Sequence, residues 1–118
     1  MTHPRLVAAM SDPGFYPHRP AGVEMVQTHI SYVFIAGDEV YKVKKAVDFG
    51  FLDFTTLEKR RHYCHEELRL NRRLAPETDL EVAAIREEGR DGRLVMGADG
   101  DAGGRVVDYA VRMRKLPP

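Results

Sequence analysis

Ile30-Ser31-Tyr32-Val33-Phe34-Ile35-Ala36-Gly37-Asp38-Glu39-Val40-Tyr41-Lys42-Val43-Lys44-Lys45 is the stretch whose reading decides the fold. Ile30 to Ala36 is a nearly continuous run of apolar and β-branched residues, the mark of a buried strand. Val40 to Lys45 is a second β-prone run. Gly37-Asp38 leaves a two-residue loop between them, a specific hairpin signal. Upstream, Val23-Glu24-Met25-Val26-Gln27 partly alternates and reads as a further strand.

Working outward toward the C-terminus, Phe49-Gly50-Phe51-Leu52-Asp53-Phe54 is a short aromatic segment expected to fill core or plug a gap. Thr55 or Thr56 can cap a helix, with Asp53 before it and Glu58 in the first turn. That helix should run from about Thr56 to Leu74 and end at Ala75-Pro76, because the residue before proline is pushed out of the α region. Leu80 to Ile85, Arg93 to Met96 and Arg105 to Leu116 are three strand-like runs separated by Gly- and Asp-rich turns. Toward the N-terminus, residues 3–10 suit a short amphipathic helix, and Asp12-Pro13-Gly14 and Pro17 to Gly22 read as turns. Strands and helix are segregated rather than alternating, which predicts an α+β fold: an antiparallel sheet of about five strands with one long packed helix. Residues 1–118 form one domain, with 1–22 a helical and turn-rich N-terminal extension and 23–118 the sheet plus helix.

On the long helix, Leu57, Tyr63, Cys64, Leu68, Leu70 and Leu74 define one broad apolar arc at about 100° per residue. Glu67 falls in the middle of it, while Glu66 points about a third of a turn away. A carboxylate on a core-facing arc costs several kcal/mol unless paired, so Glu67 calls for a cation from another element. Period two places Val40, Lys42 and Lys44 on one face of the hairpin's second strand, with Tyr41, Val43 and Lys45 on the other. Lys42 is the most central candidate. On pattern alone a structural ion pair or a snorkelling lysine is the favoured reading.

Composition limits the function classes. The 118 residues carry 18 Lys plus Arg against 18 Asp plus Glu, so the global basic excess of most nucleic-acid binders is missing. Charge is nonetheless segregated, with a net +4 over residues 41–75 and −5 over 76–104. The Arg60-Arg61, Arg69 and Arg72-Arg73 cluster could contact nucleic acid, but the zero net charge and the acidic block weigh against it. No stretch approaches the roughly 20 apolar residues of a membrane helix. One cysteine, Cys64, forms no internal disulfide, and no secretory segment is evident, so a cytoplasmic setting without membrane or nucleic-acid partner is expected. His62, Cys64 and His65 crowd one helix turn, yet Cys64 points into the apolar arc, and no metal site is assigned.

Strand, turn, strand, lysine, then helix with inward glutamate resembles the N-terminal lobe of the protein-kinase-like fold, whose strand lysine pairs with a helix glutamate and holds phosphates. More narrowly, Thr28 to Phe34, Tyr41 to Lys45, Phe49 to Phe54 and Glu66 to Pro76 are similar to the first part of a bacterial group of aminoglycoside-phosphotransferase-like proteins. Members of that group often carry a P-loop ATPase domain after the kinase-like one. The resemblance covers roughly residues 15–117. It implies an ATP-binding lobe in which Lys42 holds phosphate, Lys44 is the reserve for that role, and Glu67 is the pairing carboxylate. Thr28 to Ser31 would lie at the turn over the phosphates, with the Ser31 hydroxyl standing in for a glycine-rich loop and His29 nearby. Arg114-Lys115-Leu116-Pro117 would be the hinge facing adenine.

In such enzymes an H-x-D loop, a following Asn and a downstream D-F-G aspartate position the acceptor and bind magnesium. On this reading the chain lacks the H-x-D loop, the following Asn and the D-F-G magnesium ligand, Asp53 precedes the helix and cannot serve, and no G-x-x-x-x-G-K-S/T signature is present. The resemblance therefore implies ATP as the nucleotide, magnesium held by a C-terminal catalytic lobe absent here, no catalytic residue in this chain, and that lobe or a partner protein as its complement. The alternative is a stand-alone interaction module that keeps the fold without the chemistry, its open apolar surface serving as the partner site.

Overall fold

A computed structural model describes residues 4–74, 80–100 and 104–114. The described elements are α1 (Pro4–Met10), a 3-10 turn (Pro13–Phe15), β1 (Val23–Gln27), β2 (Ser31–Ala36), β3 (Glu39–Lys44), α2 (Leu57–Leu74), β4 (Leu80–Glu88), β5 (Arg93–Ala98) and β6 (Val106–Arg114). All strands join one antiparallel sheet in the order β1-β2-β3-β6-β4-β5. The fold is thus α+β, with six strands rather than about five, because each of the three β-prone runs after α2 becomes a strand.

The β2–β3 hairpin closes as its sequence demands. Ala36 faces Glu39 across Gly37-Asp38, and Gly37 sits at φ +65°, a left-handed conformation that glycine adopts without strain. Paired residues share a face, so the register sorts side chains into two layers. One face carries Tyr32, Phe34, Ala36, Tyr41, Val43, Ile85, Leu94 and Ala110, packed with Leu6 and Met10 of α1 and with Tyr16. The other carries Val82, Ala84, Tyr109 and Val111 against Cys64 and Leu68 of α2. The sheet is therefore the middle of three layers, and the N-terminal extension is part of the core: Leu6 and Met10 are fully buried, and the Tyr16 hydroxyl donates to the Met10 carbonyl at 2.6 Å.

Helix α2 begins where its polar residues can cap it. Thr56 Oγ1 accepts from the Lys59 N–H at 3.1 Å, and Asp53 Oδ1 accepts from the Thr55 N–H and hydroxyl just upstream. The helix packs on β6 and β4. A buried ion pair fastens its first turns: Arg60 Nε donates to Asp108 Oδ1 at 3.1 Å, and Arg60 Nη1 to the Phe54 carbonyl at 2.9 Å. Its expected end at Ala75-Pro76 lies outside the described residues.

Two expectations are corrected. Of the aromatic segment only Phe54 is core, at 2% exposure, whereas Phe49 and Phe51 are 46% and 84% exposed. The reason is a tight reversal: Asp48 and Asp53 form an antiparallel bridge, Phe49 N–H donates to the Leu52 carbonyl, and Gly50 at φ +85° turns the tip outward. Leu70, placed on the apolar arc, is 49% exposed. Among the described residues no helix is long and apolar enough to cross a membrane.

Candidate functional site

The face of β3 that points toward α2 carries Val40, Lys42 and Lys44 in alternation, as the strand period requires. Glu67, inward on α2, meets both lysines. Lys44 Nζ donates to Glu67 Oε1 at 2.8 Å and lies 5.3 Å from the centre of the Phe54 ring. Lys42 Nζ stands 3.6 Å from Glu67 Oε2, beyond hydrogen-bond reach. The inward glutamate has thus found strand cations, as its place on the arc demanded. Its close partner, however, is Lys44 rather than the expected Lys42. Both lie on the same strand face, and only the crossing of α2 over the sheet selects the nearer. Half-buried Glu66 pairs instead with Arg69, one turn on.

Around this triad the chemistry is uneven. Cys64, three residues before Glu67, is fully buried, and burial pushes its thiol up to about 12, the Lys44 cation opposing only part of that shift. Ser31 is the cross-strand partner of Lys44 and is buried. His29 is exposed at the β1–β2 turn. That turn closes upon itself: Thr28 Oγ1 accepts from the Ile30 N–H at 3.3 Å and the Ser31 N–H at 3.0 Å, while the Thr28 N–H donates to the Ser31 carbonyl at 2.9 Å. Two amides that could cradle an anion are already occupied. Lys45 points to the opposite face, where its ammonium donates to Gln27 Oε1 at 3.0 Å. Of the expected hinge, Lys115 to Pro117 lie outside the described residues.

Beyond α2 the same sheet face is open. Val26 is 45% exposed, and Val33, Ile35 and Val40 are half-buried. Lys42, itself 37% exposed, rises from this apolar surface. Among the described residues the arrangement offers a partly exposed apolar surface with an accessible cation, Lys42, and a carboxylate beside that cation.

The expectation that D-F-G is missing needs correction, and sequence reasoning passed over one further feature. Asp48-Phe49-Gly50 spells the tripeptide, but it lies ahead of α2, and Asp48 Oδ1 accepts from the Gly50 N–H at 2.7 Å to shape the turn. On the other sheet face, Glu39 accepts from the Tyr41 hydroxyl and pairs with Arg112, which also reaches Glu81 at 3.2 Å; His18 Nδ1 stands 3.5 Å from Glu39. The Arg112 hydrogen bond holds the Glu39 carboxyl below its ordinary range despite burial, and burial together with Glu39 pushes the Tyr41 hydroxyl up. Glu39 and Tyr41 share a strand face two residues apart, and that alternation was the available signal. Among the described residues no three His, Cys, Asp or Glu side chains converge as metal ligands do.

No protein-family model matches the chain, and no solved structure matches it. It is similar to uncharacterized protein Mb2027c of Mycobacterium bovis and to uncharacterized proteins MT2060 and Rv2004c of Mycobacterium tuberculosis, each 40% identical over 63 residues. The match spans 53% of this chain and 13% of each relative.

Proposed function

We infer that this chain is the ATP-binding N-terminal lobe of a kinase-like phosphotransferase similar to the aminoglycoside-phosphotransferase group, the acceptor-side groups being contributed by another lobe or polypeptide. The observation that carries the reading is the ion pairing of β3 lysines with the inward Glu67 of α2 at the border of an open apolar sheet face. The donor set suits a nucleoside triphosphate: apolar side chains for a base, an accessible ammonium for phosphate oxygens, and a carboxylate to orient it. Ser31 and His29 play at most a secondary part, since one is buried and the other stands at a turn whose neighbouring amides are occupied. Magnesium is assigned, on this reading, to the other lobe together with the nucleotide phosphates. Amide hydrogen exchange tests the reading. ATP should slow exchange over residues 31–44, and Lys42→Met should abolish that protection; ATP that leaves exchange unchanged overturns it.

The stand-alone interaction module draws support from one different observation, the display of Phe49 and Phe51 on a hydrogen-bonded turn. Self-association seen by light scattering, independent of ATP and lost in Phe51→Ala, would favour it.

A further inference from the structure

On the sheet face opposite Lys42 and Glu67, the N-terminal cover stops short. Tyr16 packs on Tyr41, their ring centres 5.0 Å apart, and the chain then passes through Pro17 and His18 toward β1. Beyond that edge β4 and β5 set Ala83 and Ala98 directly opposite each other, so the side chains there end at a methyl group. The result is a hollow of about 450 Å³ lined by these two alanines with Pro17, Tyr41 and Met96. That volume and an apolar lining with a few polar groups at the rim are what sites for small organic molecules offer.

The polar rim is one-sided. The Tyr41 hydroxyl donates to Glu39. His18 Nε2 lies 2.8 Å from the Ala36 carbonyl, which can only accept, so that nitrogen carries a proton and spends it there. His18 Nδ1 faces Glu39 at 3.5 Å. Arg112 is held by Glu39 and stands 3.2 Å from Glu81. The rim's donors are thus engaged within the protein, whereas acceptor capacity is left over, since each carboxylate offers about four lone-pair sites. Two carboxylates against one guanidinium also leave an excess of negative charge when His18 is neutral, and half-exposed Glu81 is the carboxylate within reach of a newcomer.

We propose that this hollow is a binding site for a small organic ammonium, its aromatic body lying against Tyr41, Met96 and the two alanines and its N–H groups donating to the Glu81 carboxylate. An anion of the same shape is rejected, because it meets Glu39 and Glu81 and finds Arg112 already held by both. The site does not rest on the nucleotide reading: strand alternation puts Tyr41 and Lys42 on opposite faces of the sheet.

The test is an NMR titration of the isotope-labelled chain with phenethylammonium chloride and, in parallel, with sodium phenylacetate, which keeps the ring and reverses the charge. The ammonium should shift the backbone amide signals of Ala83, Met96, Gly97 and Ala98 saturably at millimolar concentration, and phenylacetate should leave them in place. Glu81→Gln should weaken the ammonium about 3- to 5-fold, the loss expected for a half-exposed charge pair. Ala98→Leu fills the mouth of the hollow from an exposed position and should abolish the shifts. Both substitutions are at exposed positions, so the remaining signals should report an unchanged fold; if Ala98→Leu nonetheless fails to fold, Glu81→Gln decides. The proposal is overturned if the ammonium leaves these signals unmoved, if phenylacetate moves them equally, or if either folded variant binds the ammonium as wild type does.

Discussion

At the scale of single residues, buried charge is the feature most exposed to test. Arg60 and Asp108 are 11% and 6% exposed in their side chains, so each depends on the other. Asp108→Ala should lower unfolding free energy by about 3–5 kcal/mol, measured by urea denaturation, while Arg60→Met/Asp108→Leu should recover most of it. Glu39 gives a pH signature whose sign follows from its partner. Arg112 holds its folded-state carboxyl below the ordinary value of 4.5, so the stabilisation is complete above that value and fades as pH falls below it. Melting temperature should therefore drop between pH of about 5 and about 3, and the drop should be shallower in Glu39→Gln. Equal slopes would contradict the pairing. Glu67 was legible at this scale because a charge on an apolar arc is an anomaly with one remedy. Which lysine supplies the remedy was not legible, since Lys42 and Lys44 share a strand face and differ only in their distance from the crossing helix.

At the scale of elements, local chemistry accounts for most of what forms. Gly37-Asp38 between two β-prone runs and Thr56 ahead of Leu57 are signals whose physics is complete within a few residues, and both produce the expected structure. The aromatic segment after β3 misled because composition does not reveal a reversal of the chain. Gly50 and the Asp48 and Asp53 side chains turn Phe49 and Phe51 outward while Phe54 packs beneath α2. Phe54→Ala should accordingly cost about 3–5 kcal/mol, whereas Phe51→Ala should leave stability within about 0.5 kcal/mol, both read from chemical denaturation. Equal losses would mean that the turn is packed into the core.

At the scale of the whole molecule, a sheet covered on both faces needs both covers. The α2 side was readable from helical periodicity. The other side was not, because residues 1–22 look like turns and a short helix, and only the assembled sheet gives Leu6, Met10 and Tyr16 an apolar surface to enter. Burying these three is worth about 6 kcal/mol against the roughly 5–15 kcal/mol by which a domain is usually stable. Deleting residues 1–22 should therefore abolish the cooperative melt; a deletion variant with a sharp transition would contradict the three-layer core. The nucleotide reading belongs to this scale too, since it joins a strand, a helix and an open face that lie far apart in sequence. Its most direct test is a calorimetric titration of the intact chain with ATP and magnesium. The account predicts saturable binding in the micromolar to millimolar range that Lys42→Met weakens at least tenfold. The absence of saturable heat in wild type, or equal binding by both proteins, would contradict it.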